Sequence, residues 1–190
     1  MSAAALERPS GRVPFATPIT LAVGVVLLLT RTGYRGLGTM TFVTLAFSYV
    51  ALTALSLAAG NRARHQAALR PAIVIALGVI AFGIAAALLP RVVVPSVGVV
   101  GVALATLAAI AEEAFFRRFL MDRLLRYGPA MAIGISALAF AAIHVPFYGV
   151  PALWVDLGAG LLLSWQRWAS GSWTAPATTH VVANLLGVIR

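Results

Sequence analysis

Pro71-Ala-Ile-Val-Ile-Ala-Leu-Gly-Val-Ile-Ala-Phe-Gly-Ile-Ala-Ala-Ala-Leu-Leu89 runs for 19 residues without a single charged side chain. A bilayer core about 30 Å thick takes roughly 20 apolar residues of helix, with about 17–25 as the working range. The stretch therefore reads as a lipid-spanning helix. Working outward, comparable apolar runs cover residues 14–30, 37–59, 97–120, 129–145, 152–168 and 173–189. The breaks between them carry ordinary stop signals, namely Gly33 with Gly36, Gly60-Asn61, Pro90 with Pro95, Gly128-Pro129, Pro146 with Pro151, and Gly171. The fold expected is all-α, a polytopic transmembrane bundle of about seven helices. No linker or repeat divides the chain, so residues 1–95 read as N-terminal membrane helices and residues 96–190 as the chemical core of one integral unit.

Composition points the same way. Of 190 residues, 61% are hydrophobic and 10% charged, and the mean hydropathy is +0.97, against about 45–50% apolar and about 25% charged in soluble domains. All 14 basic residues are arginine, and with five acids the formal charge is +9. Nucleic-acid binding is not the reading, because the arginines fill short gaps between apolar runs and form no stripe interleaved with aromatics. Membrane lipids with anionic headgroups suit them better. Without cysteine there is no disulfide, thiolate nucleophile or Cys-ligated zinc. The first run, preceded by Arg8 and Arg12, ends in Leu27-Leu28-Leu29-Thr30-Arg31 with no small-x-small cleavage site, so it reads as a span rather than a signal peptide.

Arginine placement sets the expected orientation, since cytoplasmic loops are enriched in Lys and Arg. Ten arginines fall on one face (Arg8, Arg12, Arg62, Arg64, Arg70, Arg117, Arg118, Arg123, Arg126, Arg167) and four on the other (Arg31, Arg35, Arg91, Arg190). The expectation is a multi-pass protein of the cell membrane with a cytoplasmic N-terminus.

Ionisable groups at membrane depth cost about 2.5–3.5 kcal/mol on insertion scales, so each one needs a reason. Glu7 lies in the N-terminal tail, His65 in a basic loop and Asp122 in an arginine-rich helix end; Glu112, Glu113, Asp156, His144 and His180 lie in apolar runs. Asp156 reads as a carboxylate stabilised at a helix N-terminus. In Ala111-Glu112-Glu113-Ala114-Phe115-Phe116-Arg117, Glu113 and Arg117 stand at i and i+4 and can pair, which leaves Glu112, about 100° round the helix, for other work. A bland alternative makes Arg117, Arg118, Arg123 and Arg126 an interfacial anchor with snorkelling charges, but two adjacent glutamates fit that poorly. Around the turn at Gly128, Glu112 lies 16 residues before and His144 16 after. At about 1.5 Å per residue both sit about 24 Å from the turn, at one depth in a helical hairpin. Further on, His180 and Asn184, again at i and i+4, put an imidazole and a carboxamide one turn apart. Both can donate to a developing oxyanion, although an interhelical polar clamp would use the same pair. Trp154, Trp165, Trp168 and Trp173 read as interface anchors, and Gly98, Gly101, Gly158 and Gly160 as points of close helix packing.

Taken in order, Glu112-Glu113-x-x-x-Arg117, Phe140-x-x-x-His144 and His180-x-x-x-Asn184 resemble the three signature motifs of the CAAX-protease and bacteriocin-processing (Abi) family of intramembrane peptidases. The resemblance covers about half the chain, and no position departs from the core motifs. It implies a peptidase cleaving a peptide or membrane-protein substrate without a metal or other cofactor. Glu112 and His144 would activate water, His180 and Asn184 would hold the oxyanion, and Glu113 with Arg117 would support the helix. Two other readings stand beside it. One is a zinc peptidase with Glu112, His144 and His180 as ligands, for which no His-Glu-x-x-His helix is present. The other is a non-catalytic membrane scaffold or a transporter with a buried proton relay, for which no paired halves are found.

Overall fold

The computed structural model describes residues 16–30, 38–59, 67–88 and 98–188. Glu7, His65 and Arg8, Arg12, Arg31, Arg35, Arg62, Arg64, Arg91 and Arg190 lie outside them. Among the described residues the chain is all-α, with seven helices and no strand. These are α1 (Ala16–Thr30), α2 (Gly38–Ala59), α3 (Pro71–Leu88), α4 (Val99–Tyr127), α5 (Pro129–Tyr148), α6 (Leu153–Ser170) and α7 (Thr174–Val188).

Four of them, α2 to α5, are long and apolar enough to cross a membrane, which makes the protein multi-pass. Seven spans were expected; all seven helices form, and over the described residues the other three are shorter or more polar than these four. α1 is apolar but short. α7 has 15 residues, or about 22 Å of helix at about 1.5 Å per residue. α6 carries Asp156, Gln166 and Arg167 within its length. Part of that polarity is turned inward: Gln166 is fully buried and donates from Nε2 to the Val74 carbonyl of α3 (2.6 Å) and to Thr179 Oγ1 of α7 (3.0 Å).

Packing follows side-chain size. Among the described helices α5 and α6 pack together most extensively, and Gly160 explains how. A Cβ there would stand 3.0 Å from both Cα and the carbonyl oxygen of Ala137, so only glycine lets the two backbones approach this far. Gly98 and Gly158, also expected at close contacts, have nothing within 4 Å of a Cβ position. Their helices simply pass further from any neighbour there. α7 lies against both α3 and α4, and α2 against α4. The core is aromatic and aliphatic, with Phe115, Phe116, Phe119 and Phe140 packed against Leu28, Tyr49, Leu52 and Leu163.

α4 is not uniform. It is α-helical through Glu113, widens into a π-helical stretch over Ala114–Leu120, and ends in a short α turn and a 3₁₀ turn. It thus runs seven residues past the expected end at Leu120. Gly128, at φ 102°, then reverses the chain into α5. α5 in turn continues through Pro146, expected as a stop, to Tyr148. Pro146 forgoes one helical bond, to the carbonyl four residues back, and the helix carries on only two residues beyond it.

Beyond the π stretch, Asp122 lies in the arginine-rich helix end, as expected, and is buried there. It accepts from Arg167 of α6 (2.6 Å) and from Arg118 (3.1 Å). Arg123 donates to the Phe119 carbonyl (2.9 Å) and to the Ala59 carbonyl at the end of α2, with its guanidinium 4.1 Å over the Phe119 ring. A cation on the last carbonyl of a helix satisfies an orphan acceptor and opposes the helix dipole, so Arg123 fastens α2 to α4.

The α5–α6 approach gives a direct test. Gly160→Val forces three carbons against the Ala137 backbone and is expected to cost about 1–3 kcal/mol of stability. Thermal unfolding of the purified protein in detergent measures this, and an unchanged midpoint would show that the contact is not tight.

Candidate active site

Glu112 and His144 meet as the hairpin geometry requires. His144 Nε2 lies 3.6 Å from Glu112 Oε2, with both side chains nearly buried. The other ring nitrogen, Nδ1, is 2.7 Å from the Phe140 carbonyl, one turn back in α5. A carbonyl only accepts, so Nδ1 carries a proton, and in the neutral tautomer this leaves Nε2 as an acceptor facing Glu112. Two acceptors then face each other slightly beyond hydrogen-bond distance, a spacing that one donor of two protons bridges. The ring itself is held between Phe140 (centroids 4.5 Å apart) and Tyr148, stacked at 5.9 Å and 11°.

Glu113 faces away from Glu112 and is fully buried. Its Oε1 accepts from Arg117 at 2.9 Å, as the i, i+4 spacing anticipates, and also from His180 Nδ1 at 2.9 Å. Arg117 is buried too, and reaches further. Its second terminal nitrogen donates to the Gly160 carbonyl (3.2 Å), and its guanidinium lies 4.6 Å over the Phe140 ring. Isolated, a buried guanidinium would cost several kcal/mol; here a carboxylate, a carbonyl and an aromatic face oppose that cost. Through Glu113, Arg117, Gly160 and His180, one buried cluster joins α4, α6 and α7.

His180 and Asn184 were expected to point their donors at one place. Each instead spends a donor on the scaffold: His180 Nδ1 on Glu113, and Asn184 Nδ2 on the Ala105 carbonyl of α4 (3.1 Å). What remains is the Nε2 edge of His180 and the second amide hydrogen of Asn184. Asn184 and His180 line the same cavity as Glu112 and His144, a space of about 440 Å³. Among the described residues no three His, Asp or Glu side chains are grouped to hold a metal ion.

Tyr148 and Phe147 of α5, and Leu45 and Tyr49 of α2, also line this cavity. None of them carries a charge or a spacing that marks it in sequence. Gly160 reads in sequence as a packing glycine, but its carbonyl's service to Arg117 has no sequence signal.

Apolar spanning helices around a partly enclosed cavity, apolar for the most part and holding a few polar groups, define a multi-pass helical membrane protein. Residues 95–186, just under half of the chain, match the family model described as Type II CAAX prenyl endopeptidase Rce1-like, so this segment is similar to that family of endopeptidases. No curated protein and no solved structure matches the chain.

The cluster around Glu113 yields a two-part test. Arg117→Ala strands a buried carboxylate and is expected to cost about 3–5 kcal/mol, read as loss of protein from the membrane fraction. Adding Glu113→Gln to an Arg117→Met background removes both charges and should recover much of that level. If the single variant accumulates normally, the pair is not what holds the three helices together.

Proposed function

We propose that the protein is an intramembrane endopeptidase in which Glu112, with His144, activates water to hydrolyse a peptide bond of a membrane-associated peptide or protein. The observation that carries the reading is the 3.6 Å approach of Glu112 Oε2 to His144 Nε2, with Nδ1 of that ring tied to the Phe140 carbonyl. A water that donates one proton to each acceptor turns its lone pairs outward, toward a carbonyl carbon. As its oxygen bonds to that carbon, Glu112 takes the proton. The carbonyl becomes an oxyanion, for which the free edges of His180 and Asn184 are the donors. A donor at His180 Nε2 in addition to Nδ1 makes the ring an imidazolium, whose charge the Glu113 carboxylate faces. Collapse of the intermediate breaks the C–N bond, and the leaving amine takes the proton held by Glu112.

Glu113 and Arg117 are positioning residues in this scheme. Residues 96–190 form the peptidase core, in the cell membrane with the N-terminus cytoplasmic, as arginine placement favours. The family description points to prenylated peptides ending in a CAAX sequence as the first substrates to try.

Glu112→Gln keeps the side chain's shape and removes the base. Expected is a loss of cleavage of about 10²–10⁴-fold, the usual contribution of a general base, with the melting temperature nearly unchanged. The assay follows product release from a farnesylated CAAX peptide, and in parallel from endogenous membrane peptides by mass spectrometry. Retained processing in a correctly inserted variant would sink the reading. Chelator-sensitive activity with stoichiometric zinc would replace it with the metallopeptidase.

A further inference from the structure

We propose that Leu45 and Tyr49 of α2 determine which side chain is accepted next to the scissile bond, by setting the volume it can occupy. This rests on the peptidase reading of the site. The groups assigned to the chemistry come from α4, α5 and α7, yet the cavity that holds them has a wall from α2. That helix lies wholly outside the family-matched residues 95–186. Leu45 and Tyr49 stand at i and i+4, on one face of α2. Leu104 and Ala108 of α4 line the same space, so the cavity is apolar beside its polar groups.

Size and rigidity make this wall a gauge. At about 440 Å³ the cavity takes a short extended stretch of chain and not a folded element, so a side chain flanking the bond has to fit inside it. Tyr49 cannot easily yield. It is 7% exposed and packs in the aromatic core with Phe115, Phe116 and Leu52. The backbone around it is regular helix, with Ser48 and Thr53 hydroxyls bonded back to the Thr44 and Tyr49 carbonyls at 2.8 Å. Leu45, partly buried, packs against the same cluster. A fixed apolar wall discriminates between side chains differing by one methylene by about 10–200-fold.

Full-length protein and its Glu112→Gln variant are expressed in the same cells, and membrane peptides are compared by mass spectrometry. Peptides whose cleavage depends on Glu112 define the wild-type preference at the two positions flanking the bond. Leu45→Ala and Tyr49→Ala should move that preference toward larger apolar side chains, by roughly tenfold in relative cleavage. Leu45→Phe and Tyr49→Trp should move it toward smaller ones. Opposite shifts from opposite changes in volume are something a purely structural role does not produce. If the Tyr49 variants fail to accumulate, the Leu45 pair decides the question. An unchanged preference, or a uniform loss of rate, in variants present at wild-type level overturns the inference while leaving the peptidase reading intact. Identical peptides from wild type and Glu112→Gln would defeat that reading, and the inference with it.

Discussion

The buried cluster that joins α4, α6 and α7 is organised around one atom, Glu113 Oε1, which accepts from both Arg117 and His180 at 2.9 Å. In water such contacts are worth little, because each partner has solvent as an alternative. Here the carboxylate and the guanidinium are fully buried in helices whose surroundings are apolar. The energetic comparison is then with an unpaired charge, which costs far more than the pair gains. That asymmetry makes the cluster a constraint on geometry. Any rotation of α7 that withdraws His180, or any separation of α6 that withdraws the Gly160 carbonyl, leaves a buried charge short of a partner.

Adjacent glutamates divide labour because of where the helix turns them. Glu113 is committed to the scaffold, and Glu112, one residue earlier, reaches the cavity. The π-helical stretch begins directly after this pair. Insertions of that type are common beside functional sites. In α4 the stretch holds Arg117 together with three phenylalanines, so one wide turn meets the ionic cluster and the aromatic core at once.

How much of this could be read from sequence depends on range. Local pairings were legible: Glu113 with Arg117 from i, i+4 spacing, and Glu112 with His144 from equal distances either side of Gly128. The seven helices were legible because lipid demands long apolar runs. Contacts across the bundle were not. Asp122 meets Arg167 across 45 residues, and His180 meets Glu113 across 67, and no periodicity encodes either. The π stretch was equally hidden, since Ala114–Leu120 reads as an ordinary apolar helix end. The apolar residues of α6 made it read as one more span, whereas its Gln166 and Arg167 bind neighbouring helices.

These two ranges of information bear differently on function. Residues that do chemistry in lipid announce themselves, because each is an exception to an apolar background. Residues that shape the cavity do not, because Leu45 and Tyr49 are the sort of side chain that background is made of. A family match resting on residues 95–186 therefore carries what the polar exceptions share, and is silent about α2. Yet α2 is bound to the same frame. Arg123 holds its last carbonyl, and the phenylalanines of the π stretch pack against its Tyr49 and Leu52. Substitutions in α2 can thus alter the shape of the cavity without touching Glu112 or its partners, which leaves recognition free to diverge around a fixed centre.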